Sequence, residues 1–243
     1  MNALPRQIQL AWHGLNDEVN LRQFLASDNI QWGECDVRLD PIDNEVILRH
    51  DSFFNTPLDL DEEPLGFDRL LERLRSTDKS IKIDLKLDGF LADRVLEFID
   101  AAGFDDSRLW FNGSVETLLE QGFRKLASAH PEAILQCPID FLAPLICSAT
   151  DKAKEILEMF TSWGINRFSI DWKNENLHPF FDQMAEWEFD VNIYNVSDLE
   201  SFLQAMILMP RSITSDFNFP KWHYYGRGSG EKGDHFEYQE KRT

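Results

Sequence analysis

Long apolar runs and paired cysteines are both missing from this sequence. No stretch approaches the roughly 20 consecutive apolar residues that a membrane-spanning helix needs. The first residues, Met1 to Arg6, lack the apolar segment of a secretory signal peptide. The three cysteines, Cys35, Cys137 and Cys147, have the spacing of neither a disulfide framework nor a zinc site. We therefore expect a cytoplasmic protein whose cysteines are small buried apolar residues.

Basic residues are scarce relative to acidic ones. The chain has 24 lysines and arginines against 43 aspartates and glutamates, which gives a net charge of -19. Nucleic-acid binding depends on clustered lysine and arginine, and an acidic surface repels a polyanion. We therefore expect no nucleic-acid partner, and the even spread of the acidic residues is typical of a surface that favours solubility.

The chain alternates β-rich runs with amphipathic helical segments, as a parallel sheet covered by helices does. Hydrophobic residues make up 43% of the 243 residues, enough for one substantial core. Eight strand-like runs can be placed, at about residues 8–13, 30–39, 81–86, 109–113, 133–139, 165–172, 190–196 and 211–216. Eight strand–helix units in about 250 residues predict a closed, eight-stranded parallel (β/α)8 TIM barrel of the α/β class, in a single domain.

The ends of several helices and the end of the barrel can also be predicted. Ser197 to Glu200 matches a capping box, in which Ser197 would cap a helix and Glu200 would reach back. Gly103 and Gly164 stand where helices would end. The barrel is predicted to span residues 1–217, and residues 218–243, rich in glycine and aromatic residues, to form a C-terminal loop or tail. Such a tail either packs on the barrel or covers its mouth as a lid.

Strand parity separates polar from apolar side chains near two strand ends. In the second strand Glu34 and Asp36 share one face and Cys35 lies on the other. In the third strand Asp84 and Lys86 share the polar face. Burying unpaired carboxylates against helices is costly, so these polar side chains are expected to point into the barrel mouth, where catalytic groups of such barrels collect.

Three carboxylates on neighbouring strands repel one another unless a cation compensates them. Hard oxygen ligands suit Mg²⁺ or Ca²⁺, with Mn²⁺ as a further option. The sequence therefore predicts that Glu34, Asp36 and Asp84 bind a divalent cation. The alternative is a network of carboxylates and lysine that only fills the barrel mouth.

Two histidines are expected at the same mouth. His13 ends the first strand, and His50 follows the segment 46–48 after the second. Imidazole titrates near neutral pH and serves as a general acid or base, so both are candidate catalytic residues. The remaining histidines have no comparable setting and are expected at the surface or in loops: His130, His178, His223 and His235.

At these residues the chain resembles the glycerophosphodiester phosphodiesterases of the phospholipase-C-like superfamily. That family has a histidine after the first strand, Glu-x-Asp on the second, His-Asp shortly afterwards and an acidic-x-Lys on the third. These motifs fall here on His13, on Glu34 with Asp36, on His50 with Asp51, and on Asp84 with Lys86. Residues 213–216 also resemble the closing strand of that family.

The menorin-type branch of the superfamily is the closer resemblance. The motifs that carry it are Trp12-His13-Gly14-Leu15-Asn16, Lys82-Ile83-Asp84-Leu85-Lys86 and Leu109-Trp110-Phe111-Asn112. The resemblance implies a metal-dependent phosphodiesterase that cleaves a small or lipid-derived phosphodiester. In that reaction His13 and His50 would share acid and base roles, and Asn16, Lys86 and Asn112 would bind the substrate.

Two rival functions use the same features. Glycerophosphodiesterases carry an arginine directly after the first histidine, and Gly14 in its place fits a non-catalytic binding or scaffold protein that keeps the barrel. A metal-dependent aldolase or sugar-phosphate isomerase would also place carboxylates at strand ends. The segments after the seventh and eighth strands, however, offer no glycine-rich phosphate-binding loop.

Overall fold

Eight parallel strands close into a barrel in the computed structural model, which describes residues 7–57 and 64–216. The strands are β1 (Gln9–Trp12), β2 (Trp32–Leu39), β3 (Val46–Leu48), β4 (Ser80–Leu85), β5 (Leu109–Asn112), β6 (Ile134–Pro138), β7 (Arg167–Asp171), β8 (Val191–Val196) and β9 (Ser212–Ser215). Strand β1 pairs with both β2 and β9, which closes the barrel, while β3 is an antiparallel addition to β2 outside it. The predicted (β/α)8 TIM barrel is confirmed.

Helices follow the strands and surround the barrel. They are α1 (Glu18–Leu25), α2 (Phe67–Arg75), α3 (Phe90–Ala102), α4 (Val115–Ala129), α5 (Ala143–Ser148), α6 (Thr150–Ser162), α7 (Leu177–Glu186) and α8 (Leu199–Ile207). Gly103 ends α3 with a left-handed backbone at φ 68°, as predicted from its position. None of these helices is long and apolar enough to cross a membrane. Residues 218–243, the predicted tail, lie outside the described residues.

Apolar side chains occupy two separate regions. A large core, including Cys35, Ile83 and Leu85, lies between the strands and the helices. A small cluster of Ala11, Trp32 and Trp110 lies inside the barrel, with the two indole rings edge to face at 5.5 Å. The predicted strand parity is therefore correct, because alternate residues of β2 and β4 point to opposite sides of the barrel wall.

The burial of two residues differs from what the sequence around them suggests, and the prediction for Cys147 is wrong. Cys147, expected in the core, lies exposed near the end of α5. His130, expected at the surface or in a loop, does lie in the loop after α4 but is buried there, with its Nδ1 2.8 Å from Asp106 Oδ1 and its ring against Phe111. Both follow from contacts between elements, which local periodicity does not report.

The start of α8 also differs from the predicted capping box. Asp198, not Ser197, is the N-cap, and its carboxylate accepts a hydrogen bond of 2.9 Å from the Ser201 backbone N–H. The Ser197 hydroxyl only donates to the Asp198 carboxylate, at 3.0 Å. The helix therefore begins one residue later than the serine cap requires.

This geometry predicts unequal effects of two neighbouring substitutions. Asp198→Ala removes the cap and should lower the free energy of unfolding by about 1 kcal/mol, because an N–H of the first turn loses its acceptor. Ser197→Ala should change the free energy of unfolding by no more than a few tenths of a kcal/mol. Denaturant titration of both variants measures the difference, and a larger loss in Ser197→Ala would contradict the observed cap.

Candidate active site

The carboxyl ends of β1, β2, β4 and β5 bring the predicted site residues to one level of the barrel mouth. The register pairs Asp36 with Asp84 across β2 and β4, and Asp84 with Asn112 across β4 and β5. His13 follows β1, whose last residue Trp12 pairs with Gly33 of β2. Parallel pairing therefore assembles residues that are far apart in the chain.

Glu34, Asp36 and Asp84 form an acidic triad. One carboxylate oxygen from each lies within 4.8 Å of the others, and the first two residues are buried. Lys86 compensates two of them, with its Nζ 2.7 Å from Asp36 Oδ1 and in an ion pair with Asp84. Asn112 donates a hydrogen bond of 2.8 Å to Asp84 Oδ1 and so fixes that carboxylate.

The members of the triad differ in how strongly the protein favours their charge. Burial raises the pKa of Glu34, and His13 and Lys82 offset only part of that rise. Burial also opposes ionisation of Asp36, but Lys86 and Asn16 outweigh it and lower the pKa of Asp36 to about 2. Of these two carboxylates, Glu34 is the one whose charge more needs a further cation.

The triad fits a hard divalent cation by its chemistry and by the closeness of its carboxylate oxygens. Three carboxylates are the oxygen ligands that Mg²⁺ and Ca²⁺ prefer. Oδ1 of Asp36 is buried beside Lys86, and one oxygen of each triad carboxylate lies within 4.8 Å of the others. This spacing lets all three residues ligate one ion.

His13 lies between two carboxylates. Its Nε2 is 3.2 Å from Glu34 Oε2, and its Nδ1 contacts Asp216 Oδ1. Asp216 directly follows β9, and the pairing of Trp12 with Ser215 brings it to His13. Asp216 was not among the predicted site residues, although its place just past the eighth barrel strand was a signal for it.

His50 lies on an exposed loop at the same mouth. Its Nδ1 is 2.9 Å from Asp51 Oδ1, and its side chain is 64% exposed. Arg38 donates two hydrogen bonds, of 3.1 and 2.8 Å, to the His50 carbonyl and so positions the loop. Strand parity could have identified Arg38, because it continues the inward face of Glu34 and Asp36.

A cavity of about 490 Å³ joins both histidines to the triad, Lys86 and Asn112. Asn16 is not among its lining residues. Instead, its Nδ2 donates to Asp36 Oδ2 at 2.6 Å, and its Oδ1 accepts from the Asp36 backbone N–H at 2.9 Å. In this structure Asn16 holds a triad carboxylate in place.

The far side of the cavity is polar but largely uncharged, and its residues were not predicted. They are Ser114, Thr117, Gln136, Ser169, Tyr194 and Asn195. The Tyr194 hydroxyl donates to Asp140 at 2.6 Å, and burial together with Asp140 raises the pKa of that phenol. Asn195 has a left-handed backbone at φ 60° and donates to Asp171 at 2.7 Å.

Sequence comparison finds no match to a family model and none to the curated proteins. Comparison of the fold does find similar structures. A phosphodiesterase from Oleispira antarctica, in complex with the product sn-glycerol-3-phosphate, matches with a TM-score of 0.64 and 16% identity, covering 86% of this chain and 93% of that chain. A glycerophosphodiester phosphodiesterase from Parabacteroides distasonis matches with a TM-score of 0.62 and 13% identity, covering 87% and 94%.

The structural neighbours thus include glycerophosphodiester phosphodiesterases. An HpcH/HpaI aldolase from Desulfitobacterium hafniense also matches, with a TM-score of 0.54 and 8% identity, covering 87% of this chain and 86% of that chain. Identities this low show the fold alone. The choice between the chemistries of these neighbours therefore depends on the site residues.

Proposed function

We propose that the protein is a metal-dependent phosphodiesterase of the glycerophosphodiester phosphodiesterase type. The observation that carries this proposal is the convergence of His13, His50 and the acidic triad in one cavity. A divalent cation held by Glu34, Asp36 and Asp84 would polarise a phosphoryl oxygen. The similarity in fold to known phosphodiesterases supports the same proposed function.

In this proposal the two histidines divide the proton transfers. Asp216 and Glu34 fix the ring of His13, whereas Asp51 contacts only Nδ1 of His50 among the described residues, so the Nε2 of His50 faces no partner. A positioned imidazole can take a proton from the attacking hydroxyl or give one to the leaving oxygen. Attack by a neighbouring substrate hydroxyl would yield a cyclic phosphate, and attack by water would yield a monoester.

Substrate binding is proposed for Lys86, Asn112 and Asn16. Lys86 would neutralise charge on the phosphoryl oxygens, since it lines the cavity beside the triad. Asn112 also lines the cavity, and Gln136 fixes its amide by donating a hydrogen bond of 2.7 Å to Oδ1. Asn16 would act through Asp36, to which it is hydrogen bonded.

Gly14 explains part of the departure from the glycerophosphodiesterase pattern. Its backbone has φ 76°, a conformation that residues with a side chain rarely adopt, and its N–H points at Glu34 Oε2 at 3.4 Å. An arginine at this position would be strained. Arg38 lines the cavity without an ion pair among the described residues, and we propose that it supplies a positive charge for the substrate instead.

The polar cavity favours a small phosphodiester or the headgroup of a lipid-derived one. The menorin-type branch is part of this proposal, because the motifs around His13, Asp84 and Asn112 support it. A binding or scaffold protein remains the rival, and it would retain the cation site without turnover.

A substrate panel tests the proposal. Glycerophosphodiesters, lysophospholipids and nitrophenyl phosphodiesters are incubated with Mg²⁺, Ca²⁺ or Mn²⁺, and phosphorus NMR identifies cyclic phosphate or monoester products. We expect turnover of at least one class, loss of it in EDTA, and recovery when the cation is returned. Cation binding without any turnover would favour the scaffold protein, and neither binding nor turnover would refute the proposed function.

A further inference from the structure

A closed ring of six side chains lies inside the barrel beneath the candidate active site. We call it the floor ring, and its members are Lys82, Trp110, Arg167, Asn192, Ser212 and Thr214. Lys82 and Thr214 also line the cavity above, so the ring forms part of the cavity floor. All six residues are buried, and none belongs to the proposed catalytic or metal-binding set.

Polar contacts connect one half of the ring. Lys82 Nζ donates to Thr214 Oγ1 at 3.0 Å, and Thr214 Oγ1 in turn donates to Asn192 Oδ1 at 3.2 Å. Ser212 Oγ donates to the same Asn192 oxygen at 2.9 Å and lies 3.4 Å from Arg167 Nη1. The side-chain oxygen of Asn192 therefore accepts hydrogen bonds from two hydroxyl groups. Its amide nitrogen donates to none of the described residues.

Trp110 completes the ring between the two cations. Lys82 Nζ lies 5.0 Å and Arg167 Cζ 4.7 Å from the centre of its indole ring. Cation–π contacts of this kind offset only part of the cost of burying a charge. The indole N–H itself, Trp110 Nε1, has no acceptor among the described residues.

The floor ring contains more positive than negative charge. Lys82 and Arg167 are 2% and 4% exposed, and burial lowers the pKa of both, that of Arg167 to about 10. Glu34 is the carboxylate nearest Lys82, at 3.9 Å, and it also contacts His13. Arg167 has no carboxylate within 4.0 Å among the described residues, although Asp190 acts on it from farther away, and an arginine does not lose its charge in a protein.

Three buried N–H groups of the floor ring indicate what kind of ligand it binds. Arg167 Nε, Trp110 Nε1 and Asn192 Nδ2 are buried, and none finds an acceptor among the described residues. Each orphaned donor costs about 1–3 kcal/mol, and native proteins rarely leave several together. Three buried N–H donors, one of them on the Arg167 guanidinium, are the chemistry of an anion site.

We propose that the floor ring binds a single monovalent anion of halide size, which is chloride in physiological salt. The buried guanidinium of Arg167 supplies one positive charge, and the unpaired donors of the ring are single N–H groups, so a small monovalent anion fits the site. The proposed anion and its donors are separate from the acidic triad, although Lys82 of the ring lies 3.9 Å from Glu34.

Thermal unfolding of the full chain tests this proposal. Chloride or bromide replaces gluconate at constant ionic strength, with EDTA present so that the acidic triad binds no metal. We expect Tm to rise in a saturating manner, by about 5 °C or more at roughly 100 times the Kd. Arg167→Met should lose this halide dependence, whereas Arg124→Met, which removes an exposed guanidinium on α4, should keep it.

Crystals grown in sodium bromide give a second, direct measurement. An anomalous peak inside the floor ring, near Arg167 Nε and Trp110 Nε1, is the expected result. Water at that position together with a halide-independent Tm would overturn the proposal. Because both measurements use the unaltered protein, they decide the question even if Arg167→Met does not fold.

Discussion

Asp84→Asn is expected to abolish divalent-cation binding and to lower kcat/KM by roughly 10³-fold, because a bound cation contributes several kcal/mol of transition-state stabilisation. The substitution keeps the shape of the side chain and removes one of three charges from the acidic triad. Calorimetric titration with Mg²⁺, Ca²⁺ and Mn²⁺ measures the binding. Turnover of the best substrate from the panel measures the rate.

Asp171→Asn is the matched control for this substitution. Asp171 also ends a barrel strand and also accepts a hydrogen bond from an asparagine, Asn195, at 2.7 Å. It lies outside the acidic triad, so cation affinity should stay within a few-fold of the unaltered protein. An equal loss of cation affinity in both variants would show that the overall negative charge of the barrel mouth, rather than the triad, binds the cation. Unchanged binding in Asp84→Asn would remove Asp84 from the site.

The Asp84→Asn variant also tests how the charge of Lys86 is balanced by its two carboxylate partners. In the structure Lys86 forms ion pairs with Asp36 and Asp84. Burial would lower the pKa of Lys86, but Asp84 and Asp36 outweigh it and raise that pKa. Asp84→Asn removes one of these two partners, so Tm must be measured alongside binding to separate lost stability from lost ligation.

Local patterning was enough to predict the barrel and the inward-facing carboxylates. Alternation along β2 placed Glu34 and Asp36 on one side and Cys35 on the other, because successive side chains of a strand point to opposite faces. The same rule placed Asp84 beside them on β4. Once the strands are parallel and adjacent, their carboxyl ends must meet, so the triad follows from short segments of sequence.

Contacts between distant segments could not be predicted in this way. Asp216 lies 203 residues after His13, and only closure of the barrel between β1 and β9 brings the two side chains together. Tyr194 and Asn195 reach the cavity because closure of the barrel places β8 three strands away from β2, which no local pattern reports. The start of α8 was ambiguous for another reason, since Ser197 and Asp198 are both good N-cap residues.

Loss of either histidine is the other large effect that we expect. His13→Ala and His50→Ala should each lower kcat by about 10²- to 10⁴-fold, the usual contribution of a positioned general acid or base. Both proteins should still bind the cation, because neither histidine belongs to the acidic triad. His178→Ala, at an exposed position on α7, is the control and should leave kcat unchanged.

The leaving group distinguishes the acid from the base. A nitrophenyl phosphodiester releases a stable anion that needs no proton, so the variant that lacks the general acid should recover most of its rate on that substrate. The variant that lacks the general base should not, because its defect lies in the attack. Recovery in only one variant would assign both roles. Equal recovery in both, or a full rate in either variant on all substrates, would contradict the division of proton transfers between His13 and His50.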